Sequence, residues 1–262
     1  MIGQDLNRRP DHSASRWIIN FRDWSLSGAE QYRDLIEIVR RLVQPERQGK
    51  KRSVHTERWW RYAEIRPGLY AAIAGLDHVL ALSRVANVVL PVRVSTGPVF
   101  SDQVVVFALD GLSDMSVLSS SAHVAWTVRY TSTLGAGIRY APSDVFLTLP
   151  RPENTPELAK LGERLDHERR ELMLGRAWGL TTTYNAVHNP AVTDPEIVNL
   201  REIHEAIDRA VLDAYNWSDL DPQIGHHPTK IGTRWTFSRE ARFELLDRLL
   251  EENHRRHALE NP

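Results

Sequence analysis

The chain has 262 residues, a formal net charge of −1, 42% hydrophobic and 26% charged residues, a composition that fits one large or two modest folded domains and argues against disorder. The absence of cysteine excludes disulfides and zinc–thiolate sites and fits a reducing cytoplasm. No window approaches the roughly 18 uninterrupted apolar residues of a membrane span, and the polar opening Met1-Ile-Gly-Gln-Asp-Leu-Asn-Arg-Arg-Pro-Asp11 lacks a signal-peptide core.

In chain order, Arg16-Trp-Ile-Ile-Asn-Phe21 is aromatic and β-branched and predicts a strand. A helix is predicted over 28–43, with Tyr32, Leu35, Ile36, Val39 and Leu42 at helical spacing and Pro45 closing it. Residues 48–58 form a basic loop or irregular link. Trp59, Trp60 and Tyr62 follow, and Pro67 opens a short helix to Leu76. Three Val- and Leu-rich strands are expected at 78–85, 87–94 and 103–109, with a turn at Gly97-Pro98. A helix over 113–130 carries Met115, Leu118, Ala122, Ala125 and Trp126.

Pro142, Pro150 and Pro152 then punctuate the chain and place a domain boundary near residues 150–156. Beyond it only helices are expected. One covers 157–175. A second opens at Asp194-Pro195, with Ile197, Leu200, Ile203, Ile207, Val211 and Ala214 as one stripe. Ser238 caps a last helix presenting Phe243, Leu246 and Leu250. The predicted class is α+β: a mixed-sheet domain over 1–150 and an all-α helical C-terminal domain over 151–262.

Enzyme signatures fail one by one. Gly135-Ala-Gly137-Ile-Arg-Tyr140 puts Tyr where a dinucleotide fingerprint needs its third Gly. Ser119-Ser120-Ser121 lacks the glycines of a nucleophile elbow. His254 and His257, and the adjacent His226 and His227, read as surface rather than metal ligands. No catalytic, cofactor-binding or metal residue is predicted.

Charge is distributed unevenly. Residues 40–66 hold nine Lys/Arg against three acids, and residues 194–221 hold eight acids against two Arg. Within the basic run, Lys50-Lys51-Arg52-Ser53-Val54-His55-Thr56-Glu57-Arg58-Trp59-Trp60-Arg61-Tyr62 interleaves cations, hydroxyls and rings. Such cations neutralise phosphates and such hydroxyls fix register. The two tryptophans either stack on bases or pack in a core, packing being the commoner use.

Further blocks carry a resemblance. They are Arg16–Phe21, Glu57-Arg-Trp-Trp60 with Arg66-Pro67, Leu82-Ser-Arg-Val85, Thr96-Gly-Pro-Val-Phe-Ser-Asp102, Val104-Val-Val-Phe107 and Arg139-Tyr-Ala-Pro-Ser-Asp-Val-Phe146 with Leu149-Pro150. Gly179-Leu-Thr-Thr-Thr-Tyr-Asn185, Ile207-Asp-Arg-Ala-Val-Leu-Asp-Ala-Tyr215 and Arg248-Leu-Leu-Glu-Glu-Asn253 continue the series. In this order they resemble the target-recognition and C-terminal helical region of MmeI-like (type IIG/IIL) restriction-modification adenine-N6 DNA methyltransferases.

The resemblance implies a domain against the major groove that selects a DNA target. A methyltransferase domain or subunit, using S-adenosylmethionine, would flip out the adenine. The chain departs from that family where the chemistry resides. Asn189-Pro-Ala-Val192 lacks the second Pro and the aromatic of the methyltransferase motif. No nuclease triad can be assembled, so no methyl transfer by this chain alone is expected. Gly3-Gln-Asp-Leu-Asn7 abuts Met1, so an N-terminally incomplete recognition domain is expected, as in a gene fragment or a split partner.

The candidate DNA-binding residues follow. Lys50, Lys51, Arg52, Arg58 and Arg61 are phosphate contacts by charge density. Arg84 is either a structural Arg or a DNA contact. Ser101 and Gln103 sit at a strand start within reach of base edges, and Arg139, Tyr140 and Ser143 occupy a loop. The competing reading is a non-catalytic interaction subunit docking a methyltransferase or phage-defence partner.

Overall fold

A computed structural model describes residues 1–134 and 137–260, with the backbone alone at 133 and 134. Gly135, the start of the failed dinucleotide fingerprint, lies outside the described residues. The chain divides into two compact units: Arg16–Ala74, and Met1–Ser15 together with Gly75–Pro262. The strands and the long C-terminal helices therefore share one unit, and the observed division does not fall at the expected boundary near Pro150.

In chain order, α1 is Gly3–Arg8; α2 Leu26–Glu30, α3 Arg33–Leu42, α4 Gln44–Gln48, α5 Ser53–Glu57 and α6 Pro67–Ala72 belong to the smaller unit. The larger unit continues with β1 His78–Ser83, β2 Val85–Ala86, β3 Val92–Ser95, β4 Val104–Phe107, α7 Leu112–Ser119, α8 Ser121–Tyr130, β5 Ser132–Leu134 and β6 Gly137–Arg139. It ends with α9 Pro156–Arg176, α10 Leu180–Val187, α11 Pro195–Ala214, β7 Gly225–Thr229, β8 Gly232–Thr236 and α12 Arg239–Glu260. Among the described residues no helix is long and apolar enough to cross a membrane.

The smaller unit closes around Phe21, Ala29, Ile36, Val39 and Trp59, with Ile19, Leu26, Val43 and Trp60 packed against them. The predicted strand at 16–21 does not form. Backbone pairing would need a second strand, and among the described residues this segment has none; Trp17 is 101% exposed while Phe21 enters the core. The predicted helix over 28–43 breaks at Tyr32, whose ring stacks on Trp24 at 5.4 Å. Within the stretch read as a loop, residues 53–57 instead make one helical turn, α5.

In the larger unit the order β3-β1-β4 is antiparallel throughout, with Ala81 opposite both Val92 and Val106. A second antiparallel set runs β2-β6-β5. All described pairings are thus antiparallel, where a mixed sheet was expected. Val79, Leu80, Ala81 and Leu82 are all buried, the uninterrupted apolar run of a strand covered on both faces. The second predicted strand shrinks to β3 because Pro91 has no N–H for a ladder. The carbonyl of Pro91 instead accepts a 3.0 Å bond from the buried Arg169 guanidinium.

The long helices follow their sequence signals. Thr155 caps α9 by accepting from the Leu158 amide at 3.2 Å, and the predicted α11 stripe from Ile197 to Val211 is buried. Helix 113–130 divides at Ser120, whose extended backbone and side chain cap α8, a role for which Ser competes well. Ser121 donates to Asp208 of α11 from both its amide and its hydroxyl, each at 2.6 Å.

Two expectations for the C-terminal part change. It is not all helix: β7 and β8 form an antiparallel hairpin, His226 opposite Trp235, turning at Gly232 with φ +98°. And α12, capped by Ser238 as expected, buries Ala241, Leu245 and Leu249 and leaves Phe243 and Leu250 exposed. The segment carries two overlapping helical stripes, and packing on α8 selects the other one.

Candidate nucleic-acid interface

In the larger unit, α1 lies against β1 and the start of α10. Two glycines permit this. A Cβ on Gly179 would stand 2.5 Å from the Arg8 backbone, and one on Gly3 would stand 2.5 Å from the Ser83 hydroxyl. The N-terminal turn of α1 is held by Asp5, whose carboxylate accepts from the Ile2 amide at 2.8 Å. Burial would raise the Asp5 pKa, but hydrogen bonds from Ile2 and Ser15 outweigh it and the carboxyl titrates below the ordinary range.

These contacts shape a cleft of about 670 Å³ bordered by Gln4, Asn7, Arg8, Arg84, Asp102, Gln103, Thr181 and Thr182, with Gly3, Ser83 and Val85 in its walls. Arg84 and Gln103 meet because β1 and β4 are antiparallel neighbours, with Ser83 opposite Val104. The Arg84 amide donates to the Gln103 carbonyl at 2.8 Å, and the Arg84 Nε donates to the Asp102 carbonyl at 2.6 Å. The Arg84 Nε is thus committed to a structural contact, and the residue also lines the cleft. Thr181 and Thr182 belong to the first turn of α10, a helix without a side-chain N-cap, and first-turn amides are the groups a phosphate oxygen binds.

The cleft thus groups three amides, two guanidiniums and three hydroxyls with one carboxylate. Amides and guanidiniums are the side chains that make bidentate bonds to adenine and guanine edges. Of the predicted residues it contains Arg84 and Gln103. It adds Gln4, Asn7, Thr181 and Thr182, for which only the blocks Gly3–Asn7 and Gly179–Asn185 offered any signal, and Arg8, which lies just outside them.

The other predicted residues lie elsewhere. Ser101 accepts from the Gln103 amide at 3.2 Å, a turn contact beside the cleft. Arg139 is exposed on β6, opposite Val85. Ser143 is exposed and donates to Asp144 at 2.8 Å. Tyr140 is a correction: it is 1% exposed, and its hydroxyl bonds His123 Nε2 at 2.9 Å. His123 Nδ1 donates to the Leu118 carbonyl at 2.7 Å, so Nε2 is the acceptor for Tyr140. Burial pushes His123 down to about 4 and the Tyr140 phenol up. Tyr140 is a core residue, not the exposed loop residue expected.

The basic run belongs to the smaller unit. Lys50, Lys51 and Arg58 are exposed, with no ion pair among the described residues. Arg52 pairs with Glu64 at 2.9 Å, both exposed, a contact of small energetic weight. Arg61 lies 5.3 Å over the Trp60 ring and donates to the Trp24 carbonyl at 2.7 Å. Trp59 is buried, and Trp60 donates to the Trp24 carbonyl at 2.9 Å. The tryptophans pack, and Arg61 is held by them. Among the described residues no group of three or more His, Asp or Glu side chains is placed to hold a metal ion.

No family model and no curated protein matches the sequence. A solved structure does match the fold: that of the type IIL restriction-modification enzyme MmeI in complex with DNA, at a TM-score of 0.62 and 15% identity. The likeness covers 98% of this chain and 32% of that one, so the chain spans about a third of its length. At this identity the likeness is one of fold.

Proposed function

We propose that this chain is the sequence-specificity part of a type IIG-like restriction-modification adenine-N6 DNA methyltransferase, binding duplex DNA in a reducing cytoplasm. Methyl transfer, with its S-adenosylmethionine, belongs to a methyltransferase domain or subunit that partners it. The observation that carries this reading is the polar cleft, where amides and guanidiniums from α1, the end of β1 and the approach to β4 converge. Its shared fold with an enzyme solved on DNA supports it. Base-edge contacts come from Arg84, Gln103 and the three residues of α1. Lys50, Lys51 and Arg58, with Arg52 and Arg61 beside them, supply the sequence-independent attraction to phosphate. Arg139 and Ser143 remain exposed candidates.

The test is selection from a random duplex library with the whole chain, followed by the same selection with Arg84→Ala and Gln103→Ala. We expect an enriched site, and a loss of about 1–3 kcal/mol of discrimination at one position per variant, with non-specific binding kept. No enrichment, or unchanged discrimination in both variants, rejects the assignment.

A second reading has its own observation: Tyr32, Leu35, Ile38 and Leu42 of the smaller unit are exposed apolar side chains. This favours a protein-docking role toward a methyltransferase or phage-defence partner. Failure to bind any duplex at low salt would leave that reading standing alone.

A further inference from the structure

The larger unit contains a second concavity, of about 700 Å³, walled by α8, α10, the β7–β8 hairpin and α12. It shares no lining residue with the polar cleft. Its lining includes the apolar side chains of Val88, Leu90, Val124, Val128, Val187 and Ile231. Its lining also includes Arg129, Lys230, Arg234, Arg239 and Arg242, against one carboxylate, Asp247. None of these five cations makes an ion pair among the described residues.

Two polar groups in the lining lack partners. Ser119 is 2% exposed, and its hydroxyl makes no hydrogen bond. Arg242 donates from Nη2 to the Pro228 carbonyl at 2.8 Å, but its buried Nη1 is unpaired. A buried hydroxyl or N–H without a partner is costly, so its presence in a cavity wall points to a ligand atom that completes it. His188, also in the wall, accepts at Nδ1 from the Trp235 amide at 3.2 Å, which leaves its proton on Nε2. Burial, with Arg234, His204, His226 and Arg201 close by, holds His188 down at about 3, so the ring is neutral at physiological pH.

The volume is that of a small-ligand site. Its chemistry asks for three things at once: an apolar body, a polar edge for Ser119 and His188, and a strong anion for the arginines. A fatty acid would leave the Ser119 hydroxyl unpaired, and inorganic phosphate would leave the apolar lining unfilled. We propose that this cavity binds a nucleoside monophosphate, the base against the apolar lining beside Ser119 and His188 and the phosphate held by Arg239 and Arg242. Arginine forks match phosphate oxygens, and aliphatic side chains in the lining offer apolar surface to a base. The site stands apart from the DNA-recognition reading and holds whether or not that reading does.

The experiment is calorimetric titration of the whole chain with AMP, GMP, CMP and UMP, against ribose 5-phosphate and the matching nucleoside. At least one monophosphate should bind about tenfold tighter than both controls, since each control lacks a group worth that factor. Arg239→Ala/Arg242→Ala should reduce the best nucleotide to the affinity of its nucleoside. Arg239→Gln, at an exposed position, replaces the double variant if circular dichroism shows that it has lost its fold. Ser119→Ala should weaken the nucleotide about three- to tenfold and leave ribose 5-phosphate unchanged. Ribose 5-phosphate binding as tightly as every nucleotide would mean a phosphate patch only, and overturns the proposal. So does a nucleoside binding as tightly as its monophosphate. So does the absence of binding by all four at millimolar concentration, including the case where the arginine variant loses duplex DNA instead.

Discussion

Gly162 of α9 faces α7 at backbone contact. A Cβ built there would lie 2.8 Å from the Leu112 carbonyl carbon, nearer still to its oxygen, and 3.0 Å from the Ser116 hydroxyl. Two of those atoms are backbone, so Gly162→Ala forces the helices apart by about 1 Å, a gap that forfeits a quarter to a half of the dispersion attraction across it. Two hydrogen bonds span the same seam: Ser116 to the Leu158 carbonyl at 2.7 Å and Ser113 to the Thr155 carbonyl at 3.2 Å. Stretching them costs about 1 kcal/mol each, and more for the fully buried Ser116. Ala is favoured over Gly in a helix by about 1 kcal/mol, a partial offset. The net loss should be about 3 kcal/mol, at the upper end of overpacking effects. Gly175 in the same helix is the control, because a Cβ there meets nothing within 4 Å. Gly175→Ala should be neutral or stabilise by up to about 1 kcal/mol. Urea unfolding followed by far-ultraviolet circular dichroism measures both. A Gly162→Ala loss below about 1 kcal/mol, or equal effects of the two substitutions, would refute the seam argument.

Three further outcomes are expected. Ala177 ends α9 with φ +53°, a left-handed conformation that costs a side chain about 1 kcal/mol; Ala177→Gly should raise the urea midpoint, and a lowered one contradicts the cap. Burial drives Asp208 up to about 7, against the pull of the Ser121 hydroxyl and amide. An unfolded carboxyl titrates near 4, so stability from the neutral form is full below about pH 4 and lost as pH rises through about 7. Asp208→Asn should therefore gain on the natural protein by a few kcal/mol between those limits, and a pH-independent difference would count against it. Finally, Lys50→Ala/Lys51→Ala/Arg58→Ala should weaken all duplexes alike and make the log–log salt slope shallower by about 0.9 for each phosphate that is no longer neutralised; an unchanged slope rules this segment out as a DNA-binding surface.

Local chemistry determined the elements whose signals are self-contained. The stripe from Ile197 to Val211, the Ser238 cap and the Asp194-Pro195 start needed no distant partner to be read. The apolar runs of β1 and β4 were equally plain. Arg84 and Gln103 were legible as polar residues at the ends of those runs.

Tertiary structure decided the rest, because the deciding atoms came from far along the chain. Trp59 and Trp60 could stack or pack until Phe21, Val39 and Trp24 were placed around them. Tyr140 looked like a loop residue until His123 supplied its partner. The strand at 16–21 failed for want of a second strand, and α12 turned its other stripe inward because α8 was there to receive it. The cleft is assembled in the same way. Gln4, Asn7 and Arg8 reach Thr181 and Thr182 only because Gly179 lets the Arg8 backbone approach, and the pattern of side chains near either segment does not encode that contact. Propensity acts over a few residues, whereas a site is set by packing between segments that the sequence keeps apart.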